Sequence, residues 1–233
     1  MLIGGFQKLS LIDFPQKISC IVFTIGCNFR CPFCYNLELV LPSKISSQPR
    51  ISEKEIFDFL KKRKGKIDGV VITGGEPTLH SDLEEFIKKI KELGFLVKLD
   101  TNGYNPNVIY RLVKKDLLDY IAMDIKASKE KYEIFAGIKL DLKRIQASVD
   151  FLKKNYIDYE FRTTLAPGLT KKDILEIGDW ISGAKKYFLQ KFLNKKEVIS
   201  PEILKQREIP EKELKEIQKI FEKKFKVFKI RNL

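Results

Sequence analysis

The sequence predicts an α/β fold: an open, partial (β/α)6 barrel of the TIM type, built as one domain with a short C-terminal helical extension. Three observations carry that expectation. Short β-branched or aromatic runs recur at 18–25, 69–73, 96–101, 120–125, 159–165 and 186–192, and each reads as a buried strand. Amphipathic helical patterns fill the gaps between them. The alternation repeats about six times, which calls for a parallel sheet with right-handed crossovers and stops short of the eight units of a closed barrel. A length of 233 residues with 44% hydrophobic composition suits one such domain, with the barrel core over 18–192 and the extension over 193–233.

Each helix carries its own signals. Ser52-Glu53-Lys54-Glu55 has the form of a capping box, followed by Ile56, Phe57 and Leu60 and closed by Gly65. Ser81-Asp82-Leu83-Glu84 repeats the device ahead of Phe86, Ile87, Ile90 and Leu93, with Gly94 as the stop. Pro106 opens a helix through Val108, Ile109, Leu112 and Val113, and Leu142, Ile145, Val149 and Leu152 mark another. Thr170 caps the helix of Ile174, Ile177, Trp180 and Ile181. A last helix begins near Pro210, and a last strand is expected over 225–230.

Composition excludes some classes. No apolar run approaches the roughly 18 to 20 residues that span a bilayer, and residues 1–14 lack a basic segment followed by a clean apolar one. The chain is therefore expected in the cytoplasm, without a membrane. Lys and Arg number 44 against 31 Asp and Glu, a net charge of +13 that permits attraction to nucleic acid or to an acidic protein. The lysines, however, are scattered along amphipathic segments, as at Lys61, Lys62, Lys88, Lys89, Lys153 and Lys154, so a solvated helix surface explains them and nucleic acid is not the favoured partner.

All four cysteines fall between positions 20 and 34. A disulfide framework would spread them, so the group reads as a metal site in a reducing compartment. Cys27, Cys31 and Cys34 have the spacing Cys-x3-Cys-x2-Cys directly after the first predicted strand, where barrel folds build active sites. A structural zinc site needs four protein ligands, and a catalytic one with three usually includes His. The single His, His80, reads as a surface residue at a helix start, and Cys20 lies inside a strand, where it packs as a small hydrophobe. A four-thiolate zinc site would need a fold-back to Cys20. Three thiolates suit a 4Fe-4S cluster whose fourth iron stays open.

Other polar groups end the predicted strands. Thr73-Gly74-Gly75-Glu76-Pro77 follows the second, Asp100-Thr101-Asn102-Gly103 the third and Met123-Asp124-Ile125-Lys126 the fourth. Arg162 lies in the fifth strand and Gln190 in the sixth. Paired glycines let backbone approach a ligand closely, and a carboxylate can take an ammonium group. Each stretch also has a plain structural reading, as a turn, a surface pair or a core amide.

The cysteine spacing, with the aromatic Phe33 before the third cysteine, resembles the radical S-adenosylmethionine (SAM) superfamily. That resemblance implies a 4Fe-4S cluster on Cys27, Cys31 and Cys34 whose open iron chelates SAM, reductive cleavage of SAM, and a SAM amino group bound by Gly74, Gly75 and Glu76. The strand ends resemble those of glycyl-radical-enzyme activases, which implies SAM contacts from Phe33, Tyr35, Asn102, Asp124, Lys126, Arg162 and Gln190, and a monovalent cation on Asp100, Thr101, Met123 and Asp124. The segments 6–15 and 23–36 resemble anaerobic ribonucleoside-triphosphate reductase activating proteins, a likeness running to about Phe192. It departs from them at Gln16, where that family usually has Gly, and at Tyr35, where it usually has His. The implied partners are a glycyl-radical enzyme, anaerobic ribonucleotide reductase foremost, and a flavodoxin- or ferredoxin-like electron donor. With three cysteines committed, only Cys20 is left for any auxiliary cluster. Two alternatives stand beside this reading: a radical SAM enzyme acting on a nucleotide-like molecule or RNA, and a noncatalytic iron-sulfur or zinc module.

Overall fold

A computed structural model describes residues 1–46, 49–193 and 197–231. The chain divides into two compact units, one of residues 1–28, 36–122 and 156–158, the other of 29–35, 123–155 and 159–233.

The first unit opens with strand β1 (Ile3–Ser10), which pairs antiparallel with β2 (Ser19–Thr24). The sequence pattern predicts no strand at β1. Gly4 and Gly5 disfavour one, and Gln7, Lys8 and Leu9 are exposed, so the strand exists because β2 supplies its hydrogen-bonding edge. The turn between them places Gln16 at φ 59°, so the left-handed position where glycine is usual keeps its geometry with a side chain that strains it. Two short helices, α1 (Leu37–Val40) and α2 (Pro42–Ile45), precede α3 (Glu53–Arg63), capped as expected by the Ser52 side chain, which accepts from Glu55 N–H at 3.2 Å. Strand β3 (Gly69–Gly74), helix α4 (Leu83–Glu92), strand β4 (Leu96–Thr101) and helix α5 (Pro106–Lys114) follow, with β2, β3 and β4 parallel. The expected cap on α4 does not form. Asp82 stands at the N-cap position with its carboxylate 2.5 Å from the Met1 ammonium instead, so charge attraction wins over capping. Phe14, Ile21, Val71 and Tyr120 form a core cluster joined by Phe23 and Leu96.

Strand β5 (Tyr120–Asp124) ends in the second unit, which continues through α6 (Tyr132–Ala136), α7 (Leu142–Lys153), β6 (Asp158–Leu165), α8 (Lys171–Trp180) and β7 (Lys186–Lys191). Thr170 caps α8 through a reciprocal box with Asp173. The C-terminal extension adds a 3-10 turn (Pro201–Lys205), helix α9 (Glu211–Lys224) and strand β8 (Val227–Arg231). β6, β7 and β8 run parallel, so the extension contributes a strand to this unit's sheet as well as a helix. Tyr187 of β7 packs on Phe221, Phe225 and Phe228 at ring separations of 5.6, 5.2 and 5.9 Å, which fastens it there.

Along the chain, six helical connections join the seven strands β2 to β8, the α/β alternation expected, and both units carry parallel strands. Among the described residues no helix is long and apolar enough to cross a membrane.

Candidate functional site

The cysteines lie on the loop that follows β2. Gly26 turns it at φ 95°, donating its N–H to the Leu39 carbonyl at 2.7 Å. Cys27 and Cys34 are half-buried, Cys31 is buried and Tyr35 is exposed. The Cys34 N–H donates to the Cys31 carbonyl at 2.9 Å, a turn that the x2 spacing allows. Phe33 is buried with its ring 6.1 Å from that of Phe135, so in this structure it is an anchor of the loop. Cys20 is fully buried in β2, and burial pushes its thiol up to about 12, which keeps it protonated and inert as the sequence suggests.

In the first unit the glycine pair has a reason internal to the chain. Gly74 has φ 116°, and a Cβ there would sit 2.3 Å from the Thr24 nitrogen; one on Gly75 would sit 2.0 Å from the Gly26 oxygen. Any side chain would part the carboxyl ends of β2 and β3. The close approach is to backbone of the same chain.

Glu76, next in line, is 1% exposed and holds four donors. Its Oε1 accepts from Thr78 N–H (3.1 Å), Thr78 Oγ1 (2.5 Å) and Thr101 Oγ1 (2.8 Å), and its Oε2 from Asn102 N–H (2.7 Å). A carboxylate offers about two acceptor positions on each oxygen, so Glu76 serves as a clamp between the ends of β3 and β4 with one position on Oε2 still open. Burial pushes its carboxyl up from the ordinary value, against the pull of those donors. Asn102 carries the clamp onward, its Nδ2 donating to Asn28 Oδ1 at 2.8 Å beside Cys27. The sequence pattern does not single out Asn28, whose partner lies 74 residues away, nor Thr78, whose place two residues after Glu76 is the local signal that could mark it. His80 departs from expectation too. It is half-buried with Nε2 3.0 Å from the Ile25 carbonyl, and burial lowers its pKa, so a neutral ring donates to the start of the cysteine loop.

The second unit gathers charges. Asp124 Oδ1 accepts from Arg162 Nε and its Oδ2 from Lys126 Nζ, both at 2.9 Å. Burial pushes the Asp124 carboxyl up, but the two cations outweigh it and hold the group well below the usual carboxylate range. Burial likewise works against the Lys126 ammonium, and Asp124, with Cys31 adding to it, overcomes it, raising the pKa above the ordinary lysine value. Two cations on one carboxylate leave a net positive charge. Gln190 is half-buried in β7, in register beside Thr164 and Arg231, whose guanidinium grips Glu160 at 2.8 and 2.9 Å and covers the Phe188 ring at 3.6 Å. No sequence signal marks Arg231, because only the docking of β8 brings it to that rim.

The residues expected to hold a cation are already engaged. Asp100 pairs with buried Lys98, Thr101 donates to Glu76, Met123 is fully buried, and Asp124 carries its two cations. Among the described residues no three His, Cys, Asp or Glu side chains are arranged to hold a single metal ion. Thiolates that each bind a different iron of one cluster need no common point, and a lysine ammonium coupled to Cys31 offsets the negative charge such a cluster brings. The donor set fits a 4Fe-4S cluster.

Comparison with known proteins agrees. Residues 21–181 match the radical SAM superfamily. The chain belongs to the radical SAM superfamily. A relative from Methanocaldococcus jannaschii, provisionally named a glycyl-radical enzyme activating enzyme, is 38% identical over 231 residues, 95% of this chain and 92% of that one. A protein of Saccharolobus solfataricus named a probable GTP 3',8-cyclase is 32% identical over 121 residues, 51% of this chain and 38% of its own. Streptococcus suis SuiB bound to S-adenosylmethionine has a similar fold, with a TM-score of 0.64 at 13% identity, covering 91% of this chain and 52% of SuiB. This chain thus spans about half the length of SuiB. Membership makes the protein a radical SAM enzyme, a family whose cofactors are a 4Fe-4S cluster and SAM.

Proposed function

We propose that this radical SAM enzyme is an activase that generates a glycyl radical on a partner enzyme, anaerobic ribonucleoside-triphosphate reductase foremost. The observation that carries the reading is the Asp124-Lys126-Arg162 ion cluster in the same compact unit as Cys31 and Cys34. The relative with an activating-enzyme name, matched almost end to end, supports the choice of substrate class.

In this reading Cys27, Cys31 and Cys34 hold the 4Fe-4S cluster. When bound, the cluster and SAM supply reductive cleavage and a hydrogen-abstracting organic radical. The chain's own residues bind and orient. Lys126 and Arg162, pre-charged by Asp124, present donors to the SAM carboxylate, and Asp124 receives its ammonium group. Gly74, Gly75 and Glu76 set the rim through backbone and clamp, while Asn102, Phe33, Tyr35 and Gln190 complete the contacts. A monovalent cation on Asp100, Thr101, Met123 and Asp124 would join Lys98, Lys126 and Arg162, which already pair with the two carboxylates. The reduced electron donor is of flavodoxin or ferredoxin type, and the setting is cytoplasmic. A glycine substrate suits the chemistry because it lacks a Cβ and its radical is stabilised by two flanking amides.

Reduced enzyme, SAM and a candidate anaerobic ribonucleotide reductase from the same source are mixed, and electron paramagnetic resonance is read for a glycine-centred doublet. Its appearance supports the activase. The match to a GTP 3',8-cyclase over half the chain favours a nucleotide-like substrate as the second reading. SAM cleavage with no doublet, together with hydrogen abstraction from a nucleotide or RNA, would replace the first reading with the second.

A further inference from the structure

In the first unit, β1 is an edge strand. Its inner side pairs with β2, and among the described residues its outer side meets one partner, an antiparallel bridge from Ile3 to Ile51 in which the Ile51 N–H donates to the Ile3 carbonyl at 3.0 Å. The chain then turns into α3, so over residues 6–9 no described strand pairs with that outer side. Helix α3 lies beside it. Phe59 of α3 meets the Phe6 ring edge-on at 5.0 Å, and the Arg63 guanidinium lies over the Phe59 ring at 5.6 Å. Between strand and helix is a cleft of about 690 Å³, within the roughly 300 to 1,000 Å³ of clefts that enclose ligands.

The sequence periods converge on this cleft. Phe6 and Lys8, two apart in a strand, share one face, and Glu55, Phe59, Lys62 and Lys66 form one stripe of α3 and the turn after it. The charge is one-sided. Lys54 pairs with Asp58 at 2.6 Å, which leaves Lys8, Lys62, Arg63 and Lys66, all exposed and without an ion pair among the described residues, against the single carboxylate of Glu55. A lysine on an edge strand repels a like-charged strand, including that of a second copy of this chain with its net charge of +13. An acidic strand is the complement. Single-stranded nucleic acid would meet the charges but not the row of backbone N–H and C=O groups along β1.

We propose that the cleft between β1 and α3 binds an extended acidic segment of a partner protein. The segment adds as a strand to the outer edge of β1, and its carboxylates meet Lys8, Lys62, Arg63 and Lys66. This site goes beyond the activase reading and needs neither cluster nor SAM. Its basic end lies where Ser10 pairs with Ser19 at the start of β2, whereas the cysteine loop follows the other end of that strand.

The test titrates the full, anaerobically reconstituted chain with a dye-labelled peptide, Glu-Val-Glu-Val-Glu-Val, read by fluorescence anisotropy at low salt. Saturable binding is expected, and Lys62→Glu combined with Arg63→Glu should weaken it at least about tenfold while the circular dichroism spectrum matches wild type. In wild-type protein the peptide should slow amide hydrogen exchange over residues 6–9 and leave β8, at the other sheet edge, unchanged. The exchange measurement needs no variant, so it decides the matter even if the charge-reversed chain fails to fold. A strand bonds to an edge through alternate residues only, so N-methylating the peptide at its Val residues or at its Glu residues should abolish binding in one of the two cases. No saturable binding, no protection over 6–9, or an affinity unmoved by N-methylation in both cases would overturn the proposal. Tighter binding of an oligothymidylate than of the peptide, lost on charge reversal, would also overturn it and assign the cleft to single-stranded nucleic acid.

Discussion

Glu76, buried, and Asp124, half-buried, are carboxylates at the carboxyl ends of strands, and their surroundings push them in opposite directions. Glu76 is held by hydroxyl and amide donors of Thr78, Thr101 and Asn102, all neutral, and its pKa rises. Asp124 is held by the cations Arg162 and Lys126, and its pKa falls. Neutral donors can fix a carboxylate in place while offsetting only part of the cost of burying its charge, whereas cations more than offset it. The first arrangement makes a clamp. The second makes a charged surface with cationic capacity to spare.

The largest way to break this contrast is Asp124→Ala, which strands two half-buried cations. It should destabilise the second unit by about 3 to 5 kcal/mol, read as a lowered midpoint in urea unfolding. A loss under about 1 kcal/mol would show that water already neutralises Arg162 and Lys126. Lys126→Ala comes next. Removing one charge-assisted hydrogen bond of roughly 1.5 to 3 kcal/mol should weaken SAM binding about ten- to a hundredfold in equilibrium dialysis, with the iron content intact. Glu76→Gln sharpens the comparison from the other side, because an amide can accept at one end only. Stability should drop by about 1 to 3 kcal/mol, while SAM affinity in the folded variant stays within roughly threefold of wild type. A hundredfold loss of SAM affinity would return Glu76 to the role of direct ligand.

The smallest effect is on pH dependence. Asp124 has a folded pKa below its unfolded one, so its contribution is present above the ordinary value near 4 and is lost as pH falls through the lower folded value. Glu76 has the opposite sign: its contribution is present below the ordinary value near 4.3 and is lost as pH rises through its raised folded pKa. Asp124→Asn should therefore flatten the acid side of the stability profile, and Glu76→Gln should steepen it. Thermal unfolding midpoints between about pH 3 and 6 would show this, and equal slopes in both variants would contradict the assigned directions.

Much of the fold is legible in the amino-acid sequence. Residues 96–101 read as a strand and form β4, because a β-branched and apolar run between helix-stop and turn residues carries its own period. The Thr170 cap is local as well, needing only a hydroxyl and a carboxylate three residues apart. Other features are not legible there. β1 contradicts its own glycines and polar residues and forms only on the edge of β2. Ser81 loses its cap to an ion pair between Asp82 and the chain's first residue. Gln16 keeps a glycine's conformation, so its departure from the family pattern changes strain and leaves the turn in place.

By itself, then, the sequence determined the family and the α/β alternation, since cysteine spacing and strand period are properties of neighbours along the chain. Tertiary structure decided what each polar group does. Whether a carboxylate meets a threonine or an arginine depends on residues 25 and 38 positions away, as at Glu76 and Asp124. Burial then multiplies that difference, because a low-dielectric interior magnifies whichever partner the fold has brought near.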